Sequence, residues 1–321
     1  MPLRPIESLN AQSIGVAIVS YNTVDLLRAC LHSLAASTLT IGVVVVDNGS
    51  TDQSVAMMQR EFPQVTVLVP GENLGFARGT NLAMRRLLAD APALEYVLML
   101  NPDTVVHPGA LEELMAFATA HPRVGVVSPR LVNVDGSLQR GVFRFPTPLM
   151  TLFDLFPPGE VLPGRFYDSW WHGRYPQEVA GSAPFAVDHP LGAAMLTRAA
   201  LLKTVGMLDE DYFMYVEEVD WCMRVRRAGW AIWQQPAAVV THVGGASSRQ
   251  FRAAMTLALW RSRMRYWQRW TTARALWWHR LFLRLGLWRM RLMATAALRR
   301  GVLNAAQEAE LQAVYRSLSA L

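Results

Sequence analysis

The stretch Tyr96-Val97-Leu98-Met99-Leu100-Asn101-Pro102-Asp103 decides how the chain is read. Five consecutive apolar or aromatic residues make a run of strand length, the pattern of a strand covered on both faces in a parallel sheet. The run stops at Asn101-Pro102-Asp103, where proline removes a backbone donor and turns the chain out of regular structure. Asp103 therefore follows the carboxyl end of a central strand, the edge at which open α/β sheets bind ligands. Taken alone, these residues also read as an Asn-Pro-Asp turn with a solvated aspartate.

The pattern repeats on both sides. Apolar runs at 15–21, 41–46 and 65–69 predict strands, and residues at helical spacing predict helices over 25–36, 53–62 and 76–89. A helix over 109–120 and a strand over 124–127 follow. Further on come a strand over 187–196, helices over 198–205 and 217–228, the latter stopped by Gly229, and short strands over 230–234 and 238–241. Alternation at such short spacing predicts an α/β fold with a doubly wound, mostly parallel sheet. Parallel strands point the same way, so Ser20-Tyr21-Asn22, Asp47 to Asp52 and Asn101 to Asp103 gather at one sheet edge. Each cluster is also ordinary turn chemistry, and Asp52 suits a helix N-terminus. Residues 143–185 are rich in Pro, Gly, Trp and Tyr without periodicity, which predicts a long loop or lid.

The chain has 321 residues, 52% hydrophobic, enough for a sizeable core. Its net charge of +6 hides a division: residues 1–250 hold 18 Lys+Arg against 23 Asp+Glu, while 251–321 hold 13 against 2. An acidic body with a basic appendage points to a docking segment rather than to nucleic acid, and no recognised nucleic-acid-binding module accompanies it. From 251 to 301 there is no acidic residue, and arginines alternate with tryptophans. Leu257, Trp260, Met264 and Trp267 share one helical face beside Arg261, Arg265 and Arg269. The apolar stretch 281–298 is interrupted by Arg284, Arg289 and Arg291, so it is not expected to span a bilayer. Such a tail suits an anionic membrane surface, or else packing on the body or a homo-oligomer contact. Cys30 and Cys222 give no disulfide framework, and no secretory signal is read at the N-terminus, so a reducing compartment is expected.

The motifs occur in a telling order: Ser20-Tyr21-Asn22, Asp47-Asn48-Gly49-Ser50-x-Asp52, Asn73-x-Gly75-Phe76, Asn101-Pro102-Asp103, 192–198, Asp209-Glu210-x-x-Phe213-Met214-Tyr215-x-Glu217-Glu218-x-Asp220, and His242. Over residues 14–250 the chain resembles the family 2 glycosyltransferases, in their rhamnosyltransferase-like branch. The resemblance implies a GT-A catalytic domain at 1–250, with 251–321 as a basic helical extension. It also implies transfer of a sugar, rhamnose or another deoxyhexose, from a dTDP- or UDP-linked donor to a glycan or polyprenyl-linked acceptor, with inversion at the anomeric carbon. Inversion by single displacement needs one carboxylate to deprotonate the acceptor hydroxyl.

Residue by residue, Asp103 matches the last aspartate of the family's Asp-x-Asp motif and would hold Mg2+ or Mn2+, with His242 completing the coordination. Asn101 replaces the first aspartate and remains a weaker binding residue. Asp47 corresponds to the carboxylate that accepts from the base ring, and Tyr21 to the position that packs it, with Ser20, Asn22 and Asn73 nearby. Asn81 is itself a donor-binding candidate; relatives carry Arg before it where this chain has Thr80, which leaves open whether Arg78 substitutes at the phosphates. Glu218 fills the position of the base, with Glu217 and Asp220 as alternates; the three also suit the positive end of a helix dipole. The expected location is the cytoplasmic face of the inner membrane, held peripherally through 251–301. A GT-A-like sugar nucleotidyltransferase and an inactive membrane-associated carbohydrate binder are the competing readings.

Overall fold

The computed structural model describes residues 3–162, 164–166, 173–244 and 252–320. In chain order the strands are β1 (Ile14–Ser20), β2 (Ile41–Asp47), β3 (Thr66–Leu68), β4 (Tyr96–Leu100), β5 (Thr104–Val106), β6 (Val124–Val132), β7 (Val142–Phe143), β8 (Phe185–Ala186), β9 (His189–Pro190), β10 (Ala194–Arg198) and β11 (Ala231–His242). The helices are α1 (Val24–Leu34), α2 (Ser54–Glu61), α3 (Gly75–Asp90), α4 (Ala110–Ala120), α5 (Pro148–Leu155), α6 (Ala199–Thr204), α7 (Glu217–Arg227), α8 (Arg252–Trp270), α9 (Ala273–Arg299) and α10 (Ala305–Ser319).

Two compact units form. The first comprises Met1–Phe143, Pro176–Phe213 and Glu217–Ser247. Its sheet runs β3-β2-β1-β4-β10-β6-β11-β5, with β8 on β11. Strands β3, β2, β1 and β4 are parallel, and every residue of β1, β2 and β4 is buried, as uninterrupted apolar runs require. The sheet is covered on both faces. Helices α1, α2 and α4 pack with Ile14, Val16 and Ile18, whereas α3 lies over Gly15 and Val19, where a Cβ on Gly15 would meet Leu87.

Three local readings change. The strand expected over 187–196 divides: His189–Pro190 pairs with Val142–Phe143 in a separate two-stranded sheet, and only Ala194–Arg198 joins the main sheet. Pro190 cannot donate to a ladder and Gly192 weakens one, so the run breaks there. The two short strands at the end of the body are one strand, β11, with a register shift between Gln235 and Val239, across Pro236. β10 enters antiparallel to β4 and β6, and β5, not expected at all, pairs with β11.

The second unit gathers Arg144–Tyr175, Met214–Val216 and Ser248–Leu321. Within the stretch expected to be loop, α5 forms because Thr147 accepts from Met150 N and Pro148 occupies the first turn. Leu155 of α5 fits against Gly286 of α9, where a Cβ would come within 2.5 Å of it. Trp260, Met264 and Trp267, the face of α8 read as suited either to a membrane surface or to packing, are interior: Trp267 stacks on buried His279 at 4.0 Å between ring centroids. Among the described residues no helix is long and apolar enough to cross a membrane.

Candidate active site

At the carboxyl ends of β1 and β2, Ser20 and Asp47 are register partners. Asp47 is buried; Oδ1 accepts from Ser50 N at 2.9 Å, and Oδ2 is a buried acceptor with no hydrogen-bond partner among the described residues. A buried carboxylate oxygen left in that state is an acceptor available to a ligand's donor. Ser20 is fully buried, its hydroxyl 3.0 Å from that of Thr23, and Tyr21 is half-buried beside it. Asn22, at φ 51°, ties the two strand ends together by donating its N–H to Ser50 Oγ and accepting from Thr51 N. Asp52 caps two helices at once, Oδ2 taking Val24 N of α1 and Oδ1 taking Ser54 N of α2.

Asn73 caps the turn into α3 by accepting from Gly75 N and from Asn48 Nδ2. Asn48, quoted in the motif without a role, also donates to Gly75 O and accepts from Leu74 N. Arg78 is exposed on α3. Asn81 faces a different task from the donor contact expected of it. Its Oδ1 accepts from Leu208 N and its Nδ2 donates to Leu208 O and Glu210 Oε1, so its side chain holds the loop before α7.

Asp103 and His242 are brought together by the unexpected β5–β11 pairing, which sets Thr104 opposite His242. Both are buried, with His242 Nε2 3.4 Å from Asp103 Oδ1. Gly244 N donates to Asp103 Oδ2 at 3.1 Å. Gln139 orients the imidazole. Its amide nitrogen donates to Asn133 Oδ1 and His242 O, which directs its Oε1 to His242 Nδ1 at 2.8 Å. Nδ1 therefore carries the donated proton, and Nε2 is the nitrogen facing Asp103. The imidazole nitrogen and the carboxylate oxygen attract at this separation only with positive charge between them, a proton on Nε2 or a bound cation. That donor set fits Mg2+ or Mn2+, hard cations that take one or two protein ligands and complete their shell with phosphate and water oxygens. No group of three or more His, Cys, Asp or Glu side chains that could hold a metal occurs among the described residues. Asn101 is half-buried at the end of β4; its N–H bonds Ala193 O and its carbonyl accepts from Thr104 Oγ1.

The three carboxylates of α7 separate into two roles. Asp220 is fully buried and engaged by Arg224 Nε at 3.0 Å and the Tyr212 hydroxyl at 3.5 Å. Arg224 continues to Val205 O and Met207 O, so the pair fastens α7 to the preceding loop. Glu217 and Glu218 are 4% and 9% exposed. Burial, and then the neighbouring Glu218 charge, push the Glu217 carboxyl well above its ordinary value. Glu217 Oε2 has no hydrogen-bond partner among the described residues. Glu218 lies beside Gly192, where a Cβ would make ordinary contact at 3.8 Å from Glu218 Cβ and Cγ. The next residue, Ala193, receives the N–H of Asn101, two positions before Asp103. Residues Gly192 and Ala193 thus link the glutamate pair to the strand end that carries Asp103.

The family model Glycosyl transferase family 2 matches residues 15–202. An N-acetylglucosaminyl-diphospho-decaprenol L-rhamnosyltransferase of Mycobacterium tuberculosis is 31% identical over 238 residues, 71% of this chain and 75% of the relative. A low-salt glycan biosynthesis hexosyltransferase of Haloferax volcanii is 27% identical over 69% of this chain and 64% of its own. Among solved structures, a mannosyltransferase from Pyrobaculum calidifontis in complex with GDP-Man and Mn2+ superposes with a TM-score of 0.55 at 18% identity, covering 99% of this chain and 86% of that one. The fold is GT-A-like, and the chain belongs to glycosyl transferase family 2.

Proposed function

We propose that this glycosyltransferase moves a deoxyhexose, with rhamnose the first candidate, from a dTDP- or UDP-linked donor to a hydroxyl of a polyprenyl-linked or polysaccharide acceptor, with inversion. The observation that carries the reading is the buried Asp103–His242 pair with its Gln139-fixed imidazole, at the sheet edge that also holds the Asp47 oxygen without a partner among the described residues. The sugar and the lipid-linked acceptor are drawn from the mycobacterial relative's name.

Asp103 and His242 would hold the divalent cation, which when bound offsets the negative charge of the departing diphosphate. Asp47 Oδ2 accepts from the base ring, and Tyr21 packs against it. Glu218 takes the acceptor's proton. Two adjacent buried carboxylates do not both ionise at low cost, and burial with the Glu218 charge raises the Glu217 carboxyl well above its ordinary value, so the role of base is given to Glu218, the residue at the position the resemblance assigns to it. Asp220, committed to Arg224, positions α7 rather than touching substrate.

The test is a panel of dTDP-, UDP- and GDP-sugars with and without Mn2+ or Mg2+, read by melting temperature and by slow donor hydrolysis. One class of nucleotide sugar raises the melting temperature only with metal, and Asp103→Asn removes that dependence. A chain that responds to no nucleotide sugar, or an Asp103→Asn variant that keeps the metal effect, ends the proposal.

A further inference from the structure

Helix α9 is apolar on two opposite faces. One, with His279, Leu283, Gly286, Leu287 and Ala294, is buried. On the other, Trp277, Leu281, Leu285, Trp288 and Leu292 recur at steps of four, four, three and four, which aligns them in one stripe about 22 Å long at 1.5 Å per residue. Trp277 is 57%, Trp288 65% and Leu292 52% exposed. Surface helices keep their outer face polar, so a stripe of this kind marks an interaction surface.

The charges around the stripe say what covers it. On the same helix, Arg284 and Arg291 fall along one flank, and Arg274 and Arg299 at its two ends; all four are exposed. No acidic residue occurs anywhere from 251 to 301. The acids that reach α9 from other segments, Glu160 and Glu308, are engaged by Arg289 and Thr295, so a second copy docked symmetrically would set the basic flank and ends of the stripe against themselves, since a two-fold contact uses the same surface on both partners. An anionic bilayer meets both requirements, because its headgroup region accepts tryptophan and leucine while its phosphates pair with arginine.

We propose that the outer face of α9 is a membrane-docking surface on which the helix lies in the plane of an anionic bilayer. Trp277, Trp288 and Leu292 enter the headgroup boundary, and Arg274, Arg284 and Arg299 contact lipid phosphates. This differs from the stripe that α8 suggested by sequence, which is interior. The proposal deepens the reading of a polyprenyl-linked acceptor and rests on it only for its purpose: an acceptor confined to a bilayer is met by an enzyme held there.

Flotation of the full chain with phosphatidylcholine vesicles, with and without phosphatidylglycerol, tests it in the absence of donor and acceptor. The wild-type chain floats with the anionic vesicles, and Trp277→Ser, Trp288→Ser and Leu292→Ser together lower its partition coefficient by about tenfold or more, with donor hydrolysis in solution unchanged. Arg274→Glu with Arg284→Glu, which spares the apolar stripe, removes the preference for anionic over neutral vesicles. The proposal is overturned if the wild type does not float, if the triple variant floats equally, if the charge variant keeps the preference, or if the wild type is a dimer that the triple variant converts to monomer. Since no sugar substrate is present, failure here leaves the transferase reading standing, and loss of transfer with intact flotation leaves this one.

Discussion

Glu217 and Glu218 are adjacent in the chain yet differ in what their surroundings allow. The folded state holds the Glu217 proton above the ordinary value of 4.5, whereas the unfolded chain releases it near that value. The stabilisation by this proton is therefore complete below about pH 4.5 and is lost as pH rises through the folded value. Glu217→Gln, which copies the neutral acid, should raise the melting temperature at pH 8 and leave it nearly unchanged at pH 4. Glu218→Gln should lower kcat by about a hundredfold or more while donor affinity stays within about twofold, measured by transfer kinetics and nucleotide titration. Gln139 is a positioning residue of a kind the sequence does not announce: it sits 103 positions from His242, in a hairpin of polar residues with no motif around it. Gln139→Leu should weaken metal-dependent donor binding by roughly 10–100-fold without changing the fold, read as a higher Mn2+ concentration needed for the same melting shift.

At the scale of elements, the placement of α7 depends on α3. Phe76 N donates to Phe213 O at 2.8 Å, and Gly75, at φ 76°, has no space for a side chain because a Cβ would lie 2.4 Å from that carbonyl. Asn81 holds Leu208 and Glu210, while Trp221 Nε1 and Arg224 hold 205–207 to α7. The chain then enters α7 through Tyr215 and Val216, at φ 69° and 71°, where a β-branched residue is strained at a cost of about 1–3 kcal/mol. Gly75→Ala and Asn81→Ala should each destabilise by about 2–4 kcal/mol in urea unfolding, and should lower kcat more than they weaken donor binding, since the proposed base moves and the proposed nucleotide contacts stay. Equal loss of both would mean that the loop does not position the base.

Over the whole molecule, the two units carry opposite pH responses. In the second unit, His279 is buried, its Nδ1 2.8 Å from Thr151 Oγ1, and burial, with Arg263 adding to it, lowers its pKa to about 4. Its folded value lies below the unfolded 6.5, so the stability it confers is present above about pH 6.5 and falls as pH drops towards 4, by on the order of 3 kcal/mol in all. Glu217 in the first unit runs the other way. Hydrogen exchange, corrected for intrinsic rates, should therefore show α8 and α9 losing protection between pH 7.5 and 5 while α7 gains it. Loss of protection in α7 over that range would contradict the assignment.

The sequence by itself determined the alternation of strands and helices, the four parallel strands from β3 to β4, and the gathering of Ser20, Asp47 and Asn101 to Asp103 at one edge, because burial on both faces and turn chemistry are written locally in residue type. Only the tertiary structure decided that Asp103 meets His242, that Gln139 orients that imidazole, that Asn81 and Asp220 brace α7, and that the apolar face left outward belongs to α9 and not α8. Those outcomes depend on partners as many as 141 positions apart, as in the Gly244–Asp103 bond, and on which of two apolar helix faces another helix covers. Periodicity reports that a face is apolar; packing alone determines what lies against it.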